Sequence, residues 1–180
     1  MSYPRTDLLK LLPLTIDQLR VLARDRAALE TALGLTVSDL QVEPISLSEF
    51  SGAILSHTVP FVESADDNFE WRTHWLVVYE PANTCIGGIG GGLVQGDFII
   101  GYFIDRKYAS RGFATQVLRL YLQWVFTRNP ELSVIFAETP KDHIASQRVL
   151  AKNAFLFDRE VAEGYRWKLE RPADGGTSEV

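Results

Sequence analysis

The segment 103–115 constrains the fold of this chain most, because an apolar run leads through a short basic loop directly into an amphipathic helix. Backbone N–H groups at the start of a helix have no intrahelical acceptor, and the helix dipole is positive there, so such a junction binds anions. Gly112 permits close approach of a ligand to the backbone, and Arg111 adds a positive charge. We therefore predict a phosphate-binding loop, with an ordinary strand-to-helix turn as the alternative. Its residues are Ser110, Arg111, Gly112, Phe113, Ala114 and Thr115.

Strands and helices alternate in the rest of the C-terminal half. Apolar residues at positions 113, 117, 121, 124 and 125 have helical spacing, and Asn129 with Pro130 ends that helix. The short run 133–137 predicts a buried strand, and 144–152 predicts a second helix. Strand character returns at 155 and ends in the alternating pattern of 165–169.

The N-terminal half predicts mainly structural elements. Residues 8–14 predict a first edge strand, and Thr15 with Gln18 forms a capping box for a helix. The buried stripe of that helix is predicted to be Ile16, Leu19, Ala23 and Ala27. A second capping box is predicted at 46–49, followed by strands at 75–80, 85–94 and 98–104.

The composition fits one globular domain. A chain of 180 residues with 46% hydrophobic residues can form a substantial core. We place the single domain at residues 1–171 and expect a disordered polar tail at 172–180. The net charge of −5 argues against nucleic acid or an anionic membrane as a partner. No apolar run approaches a membrane span and no signal pattern is visible, so we expect a cytoplasmic protein.

Two segments resemble the GNAT acetyltransferase family. Residues 109–114, Ala-Ser-Arg-Gly-Phe-Ala, are similar to its R/Q-x-x-G-x-G/A pyrophosphate loop. Residues 137–155 are similar to its A-x-T-x-x-x-N-x-x-S-x-x-v-L-x-K-x-G-F segment. The similarity covers about residues 86–169 and is greatest to the Rim-type branch, which acetylates the N-termini of ribosomal proteins.

The resemblance implies a fold, a donor and an acceptor. The fold would be α/β (α+β), with a mixed, mostly antiparallel sheet of about seven strands, splayed at the cofactor site, and about four flanking helices. Acetyl-coenzyme A would be the donor, a primary amine of a small molecule or of a peptide or protein N-terminus the acceptor, and no metal would be needed. A backbone N–H near Phe103 and Ile104 would polarise the thioester carbonyl.

Four positions depart from the family pattern. Ala109 replaces the first Arg or Gln of the loop, although we expect its backbone amide to remain for phosphate binding. His143 replaces the Asn, and Ala154 replaces the Gly. Leu150 replaces the Tyr that many family members use as general acid, and the resemblance then assigns that role to Ser146.

Three residues are candidates for moving protons. Ser146 is the candidate donor to the sulfur, with a helix-surface residue as the alternative. Glu138 and His143 are candidate bases, and water accepting the proton without a dedicated base is the alternative. His143 would also contact the cofactor in place of the family's Asn.

Other features of the sequence favour structural rather than functional interpretations. The glycines at 87–92 lack the spacing of a nucleotide loop and predict a bulged, closely packed strand. Cys85, the one cysteine, is interpreted as a core residue, and His57 and His74 as structural or surface residues.

Two alternatives concern partners and activity. An acidic rim near Trp71 would either receive an amine cation or be a solvated face; its members are Glu63, Asp66, Asp67 and Glu70. A domain that binds coenzyme A without catalysis is the rival function, and Leu150 and Ala109 favour it. The sequence leaves homodimer formation open.

Overall fold

The computed structural model describes residues 3–40, 54–64 and 69–172, and within these ranges seven strands form one sheet. The strands follow the order β1-β2-β3-β4-β5-β7-β6, and every neighbouring pair is antiparallel except β4 with β5. The predicted mixed, mostly antiparallel sheet is confirmed. The bounds are β1 Leu9–Pro13, β2 His74–Tyr79, β3 Thr84–Val94, β4 Asp97–Ile104, β5 Val134–Pro140, β6 Leu156–Val161 and β7 Gly164–Glu170.

Five α-helices accompany the sheet in the described ranges, one more than expected. They are α1 Ile16–Arg24, α2 Arg26–Ala32, α3 Val59–Glu63, α4 Phe113–Arg128 and α5 Ile144–Lys152. A π-helical turn at Ile54–Thr58 precedes α3, and short 3-10 turns occur at Glu70–Arg72, Glu80–Ala82 and Arg106–Tyr108. The second predicted capping box at 46–49, Asp66, Asp67 and the tail beyond residue 172 lie outside the described residues.

The predicted helix after β1 is divided into α1 and α2. The capping box of Thr15 and Gln18 is present, as predicted. However, Asp25 has an extended backbone and accepts a hydrogen bond from the Ala28 N–H at 3.0 Å, so it ends α1 and caps α2. The predicted stripe was therefore wrong at Ala27, which is exposed on α2.

A hydrophobic core lies on each face of the sheet. Helices α4 and α5 cover one face, where Val117 and Tyr121 pack near Trp75 and Val77 of β2. Helices α1 to α3 cover the other face, against the alternate β2 residues Leu76 and Val78. The phosphate-loop helix α4 therefore shares a face with α5.

The sheet opens between β4 and β5. These parallel strands pair only through Ile99 with Phe136 and Ile100 with Ala137. Beyond that point β4 follows β3 to Ile104, while β5 follows β7 to Pro140. The predicted splay is thus present in the middle of the sheet, bordered by residues 101–104 on one side and 138–140 on the other.

No helix in the described parts of the chain has the length and apolar character needed to cross a bilayer.

Candidate active site

The predicted phosphate loop connects the open end of β4 to α4. Buried Asp105 shapes the connection, because its carboxylate accepts from the Lys107 N–H at 2.9 Å and its own N–H donates to the Ile86 carbonyl at 2.7 Å. Gly112 then caps α4 with a left-handed backbone at φ 78°, a conformation that favours glycine. Among the described residues, no side chain caps the first turn. The helix therefore begins with exposed backbone donors.

The first turn of α4 has the geometry of an anion site. The backbone N–H of Gln116 is the first donor within the helix and binds the Gly112 carbonyl at 3.1 Å. The preceding N–H groups, those of Phe113, Ala114 and Thr115, therefore have no intrahelical acceptor. Among the described residues, a Cβ on Gly112 would meet only the side-chain amide nitrogen of Gln116, at 3.9 Å, so they leave the surface above Gly112 open. The junction can receive a pyrophosphate through backbone donors and a positive dipole.

The side chains of the loop contribute unequally. Exposed Arg111 lies 5.3 Å from the centre of the Tyr108 ring, which holds its charge beside the junction. Phe113 is buried, so its side chain belongs to the core. Ala109 does not supply the free amide that we expected, because its N–H donates to the Arg106 carbonyl at 3.1 Å.

The backbone of β4 presents donors to the opening. The bond from the Asp105 N–H to the Ile86 carbonyl makes this a hydrogen-bonded pair of β3 and β4. Because such pairs alternate along antiparallel strands, Ile104 and Tyr102 direct their N–H groups away from β3, toward the opening. Phe103 faces β3 instead. Of the two residues assigned to the thioester carbonyl, only Ile104 has the required orientation.

The candidate acid Ser146 contacts Tyr102, which was not predicted from the sequence as a site residue. Tyr102 of β4 places its hydroxyl oxygen 3.0 Å from Ser146 Oγ and 3.3 Å from the Ser146 carbonyl oxygen on α5. Burial raises the pKa of Tyr102 to about 12, against a smaller lowering by the Ser146 hydrogen bond, so the phenol keeps its proton at neutral pH. The alternation of β4 was the available signal, since it puts Tyr102 on the face of Phe98 and Ile100.

Glu138 lies on the opposite face from Ser146. Its neighbours on β5, Ile135 and Ala137, pack into the core beneath α4 and α5, so Glu138 points to the other side. There it pairs with buried Arg166 at 3.5 Å, while the Arg166 guanidinium also binds Asp97 at 2.5 Å. The structure therefore separates the candidate acid from this candidate base by the thickness of the sheet.

The departures at α5 have distinct structural effects. His143 is the exposed N-cap of α5 and makes no capping hydrogen bond with its side chain, and both of its predicted roles stay predictions. Leu150 is fully buried in the core, so this position provides no proton donor. Ala154 follows α5 with a left-handed backbone at φ 63°.

The remaining candidates of the sheet are structural. His74 stacks on Phe103 with ring centres 6.2 Å apart, and burial lowers its pKa to about 4. A Cβ on Gly88 would lie 2.3 Å from the His74 Nε2 atom, which explains a glycine there. Burial raises the pKa of Cys85 to about 11, so it is a thiol at neutral pH. Among the described residues, no cluster of three or more His, Cys, Asp or Glu could hold a metal.

The acidic rim is only partly described. Glu63 forms an ion pair with Arg20 of α1 at 2.6 Å, which favours the solvated-face interpretation for that residue. Trp71 packs edge-on to Phe61, with the Arg72 guanidinium 4.9 Å from its ring centre.

Comparison with known proteins identifies the family. The acetyltransferase (GNAT) domain family matches residues 14–156, most of the chain. The chain belongs to the GNAT acetyltransferase family. It is accordingly an N-acetyltransferase with acetyl-coenzyme A as donor. No curated protein matches the sequence significantly.

Solved structures share the fold at low sequence identity. An acetyltransferase from Agrobacterium tumefaciens is 19% identical with a TM-score of 0.63, covering 95% of this chain and 96% of that one. The ribosomal-protein-S5-alanine acetyltransferase from Vibrio fischeri is 14% identical with a TM-score of 0.62, covering 95% and 96%. An aminoglycoside acetyltransferase solved with coenzyme A is 15% identical with a TM-score of 0.60, covering 91% and 95%. The presence of a ribosomal-protein acetyltransferase among them agrees with the Rim-type resemblance.

Proposed function

We propose that this GNAT enzyme acetylates a primary amine of a small molecule or of a peptide or protein N-terminus by direct attack on acetyl-coenzyme A. The observation that carries the proposal is the uncapped start of α4, with its left-handed Gly112, beside the opening between β4 and β5. Backbone donors and Arg111 would hold the pyrophosphate, and the pantetheine arm would enter the opening.

The reaction moves one acetyl group and one proton. The amine nitrogen attacks the carbonyl carbon of the thioester, the carbon–sulfur bond breaks, and its electron pair goes to sulfur. The amine loses a proton and the sulfur gains one. We assign the Ile104 N–H to the carbonyl oxygen, where a fixed donor stabilises the charge that develops during attack.

The departing sulfur and the attacking amine would be served by side chains on opposite faces of the sheet. Ser146 lies on the face covered by α4 and α5, where its hydroxyl would meet the departing sulfur. Glu138 lies on the other face, and its side chain is 43% exposed, so an amine arriving there could give its proton to this carboxylate or to water. The Arg166 guanidinium, 3.5 Å from the Glu138 carboxylate, orients this side chain.

The decisive experiment measures release of thiol from acetyl-coenzyme A. A panel of amines is tested, containing peptides with free N-termini, aminoglycosides, polyamines and amino acids. We expect at least one class to accelerate thiol release, and Ser146→Ala to lower kcat by about 10–100-fold with little change in KM for acetyl-coenzyme A. Tight binding of coenzyme A without turnover for any amine would contradict the proposal and favour the non-catalytic sensor.

Cytoplasmic location and a possible homodimer remain predictions from the sequence. Both are checked by cell fractionation and by measuring the mass of the protein in solution.

A further inference from the structure

The contact between Tyr102 and Ser146 bridges the opening of the sheet. Tyr102 belongs to β4 and Ser146 to α5, and 44 residues separate them in the sequence. Their side-chain oxygens are 3.0 Å apart, the distance of a good O–H···O hydrogen bond. The phenol is thus held at the position where the acid candidate of the reaction lies.

The chemistry of the phenol excludes one role for it. The pKa of an ordinary thiol is about 8.5. Burial raises the pKa of Tyr102 to about 12. Transfer of the phenol proton to a departing thiolate would therefore run strongly uphill. The phenol stays protonated and can act through a hydrogen bond that it donates.

The serine hydroxyl needs such a partner. It carries one proton that rotates freely, and on a helix that proton commonly binds the carbonyl four residues earlier. Among the described residues, the Tyr102 hydroxyl is the partner of Ser146 Oγ. The phenol proton has two acceptors on Ser146, Oγ at 3.0 Å and the carbonyl oxygen at 3.3 Å, and Oγ is the nearer. When the phenol donates to Oγ, the serine proton is directed elsewhere, and the opening lies beside it.

We propose that Tyr102 is a positioning residue: its phenol donates a hydrogen bond to Ser146 Oγ and thereby turns the serine O–H toward the sulfur of the coenzyme. This inference rests on the proposed function and deepens it. The serine then stabilises the sulfur as the carbon–sulfur bond breaks, and the proton that sulfur finally acquires comes from the attacking amine through the solvent or a base. Tyr102 itself never ionises.

The nearby charged groups define the controls. His143 lies one turn before Ser146 on α5, and Arg148 and Lys152 are exposed farther along the same helix. Glu138 of β5 faces the opposite side of the sheet. Titrations are therefore run in the native chain and again in a His143→Asn background, which replaces the imidazole nearest in sequence to Ser146 with an amide that does not titrate.

The experiment titrates the thiol of bound coenzyme A through the ultraviolet absorbance of its thiolate. In the native chain the bound thiol should ionise at a lower pH than free coenzyme A. Ser146→Ala should raise that pKa by about 1 unit and Tyr102→Phe by about 0.5 unit, since each weakens a hydrogen bond to the charged form. The double variant should match Ser146→Ala alone, because the phenol acts through the serine.

Tyr121→Phe is the matched control. Tyr121 is a fully buried phenol of the same core whose hydroxyl has no hydrogen-bond partner among the described residues, so its removal should leave the titration unchanged. Additive shifts from Tyr102→Phe and Ser146→Ala, or no shift from Tyr102→Phe, would overturn the inference while leaving the proposed function intact. Failure of the native chain to bind coenzyme A would overturn the proposed function itself.

Discussion

Burial in the sheet favours the neutral form of three titratable side chains of the central strands. Burial raises the pKa of Tyr102 to about 12 and of Cys85 to about 11, and it lowers the pKa of His74 to about 4. The exposed cation of the predicted phosphate loop is Arg111, whereas Glu138 on the other side of the opening is paired to buried Arg166. An anionic donor would therefore be anchored at the edge that carries Arg111.

His74 should make stability depend on pH. The pKa of His74 is about 4 in the folded chain and about 6.5 in the unfolded chain. Between these pH values the imidazole is protonated in the unfolded chain but not in the folded chain. Stability from this group is complete above about pH 6.5 and falls by up to about 3 kcal/mol as pH decreases to about 4. Urea unfolding at both ends of that range, with His74→Gln, measures the effect.

His57 provides the control for that prediction. It is exposed, so His57→Gln should keep the acid sensitivity of the native chain, whereas His74→Gln should lose most of it. Equal acid sensitivity in the native chain and His74→Gln would show that the His74 imidazole is not the group responsible.

The junction between α5 and β6 contains a strained residue. The Phe155 N–H donates to the Leu150 carbonyl and the Ala154 N–H to the Ala151 carbonyl, both at 3.1 Å, which closes the helix end. This closure requires the left-handed backbone of Ala154, at φ 63°, where the family segment has Gly. The Cβ of an L-residue is unfavourable in that conformation.

Ala154→Gly should therefore stabilise the protein by about 0.5–1 kcal/mol, since relief of strain exceeds the added freedom of the unfolded chain. The melting temperature should rise by about 1–4 °C. Ala151→Gly is the matched control, because Ala151 is exposed within α5, where glycine destabilises by about 1 kcal/mol. A lower melting temperature for Ala154→Gly would contradict the strain argument.

Elements with local boundary signals were predicted well from the sequence. Helix α4 begins after Gly112 and ends before Asn129, as its glycine and its Asn-Pro stop indicated. The division of α1 from α2 was missed, because Asp25 competes as an N-cap against an otherwise continuous helical pattern. The same limit applies to the site. The phosphate loop is contiguous, but the Tyr102–Ser146 contact joins distant segments, and the alternation of β4 gives only the face of Tyr102 and not its partner.

At the scale of the whole molecule, the opening divides the sheet into two parts joined by few backbone pairs. Strands β1 to β4 form one part and β5 to β7 the other, with the residue pairs of Ile99 and Ile100 between them. Helix α4 packs on β1, β3 and β4 of the first part. Asn153, which follows α5, donates to the Thr115 carbonyl of α4 at 3.3 Å. A ligand that contacts the start of α4 and fills the opening would hold both parts together.

Coenzyme A should accordingly stabilise the entire fold. At a ligand concentration of about 100 times Kd, binding to the folded state adds about 2.7 kcal/mol, which corresponds to a melting-temperature rise of about 5–10 °C.

Gly112→Asp should abolish the rise, because a carboxylate and a Cβ would occupy the open surface above the uncapped helix start. Gly34→Asp tests whether backbone strain alone explains the loss. Gly34 has a similar left-handed backbone at φ 71°, and no atom of the described residues lies within 4 Å of its Cβ position. Both variants should melt lower than the native chain without ligand, but only Gly34→Asp should keep the full rise with coenzyme A. A full rise in folded Gly112→Asp would remove the start of α4 from the donor site, and with it the observation on which the proposed function depends.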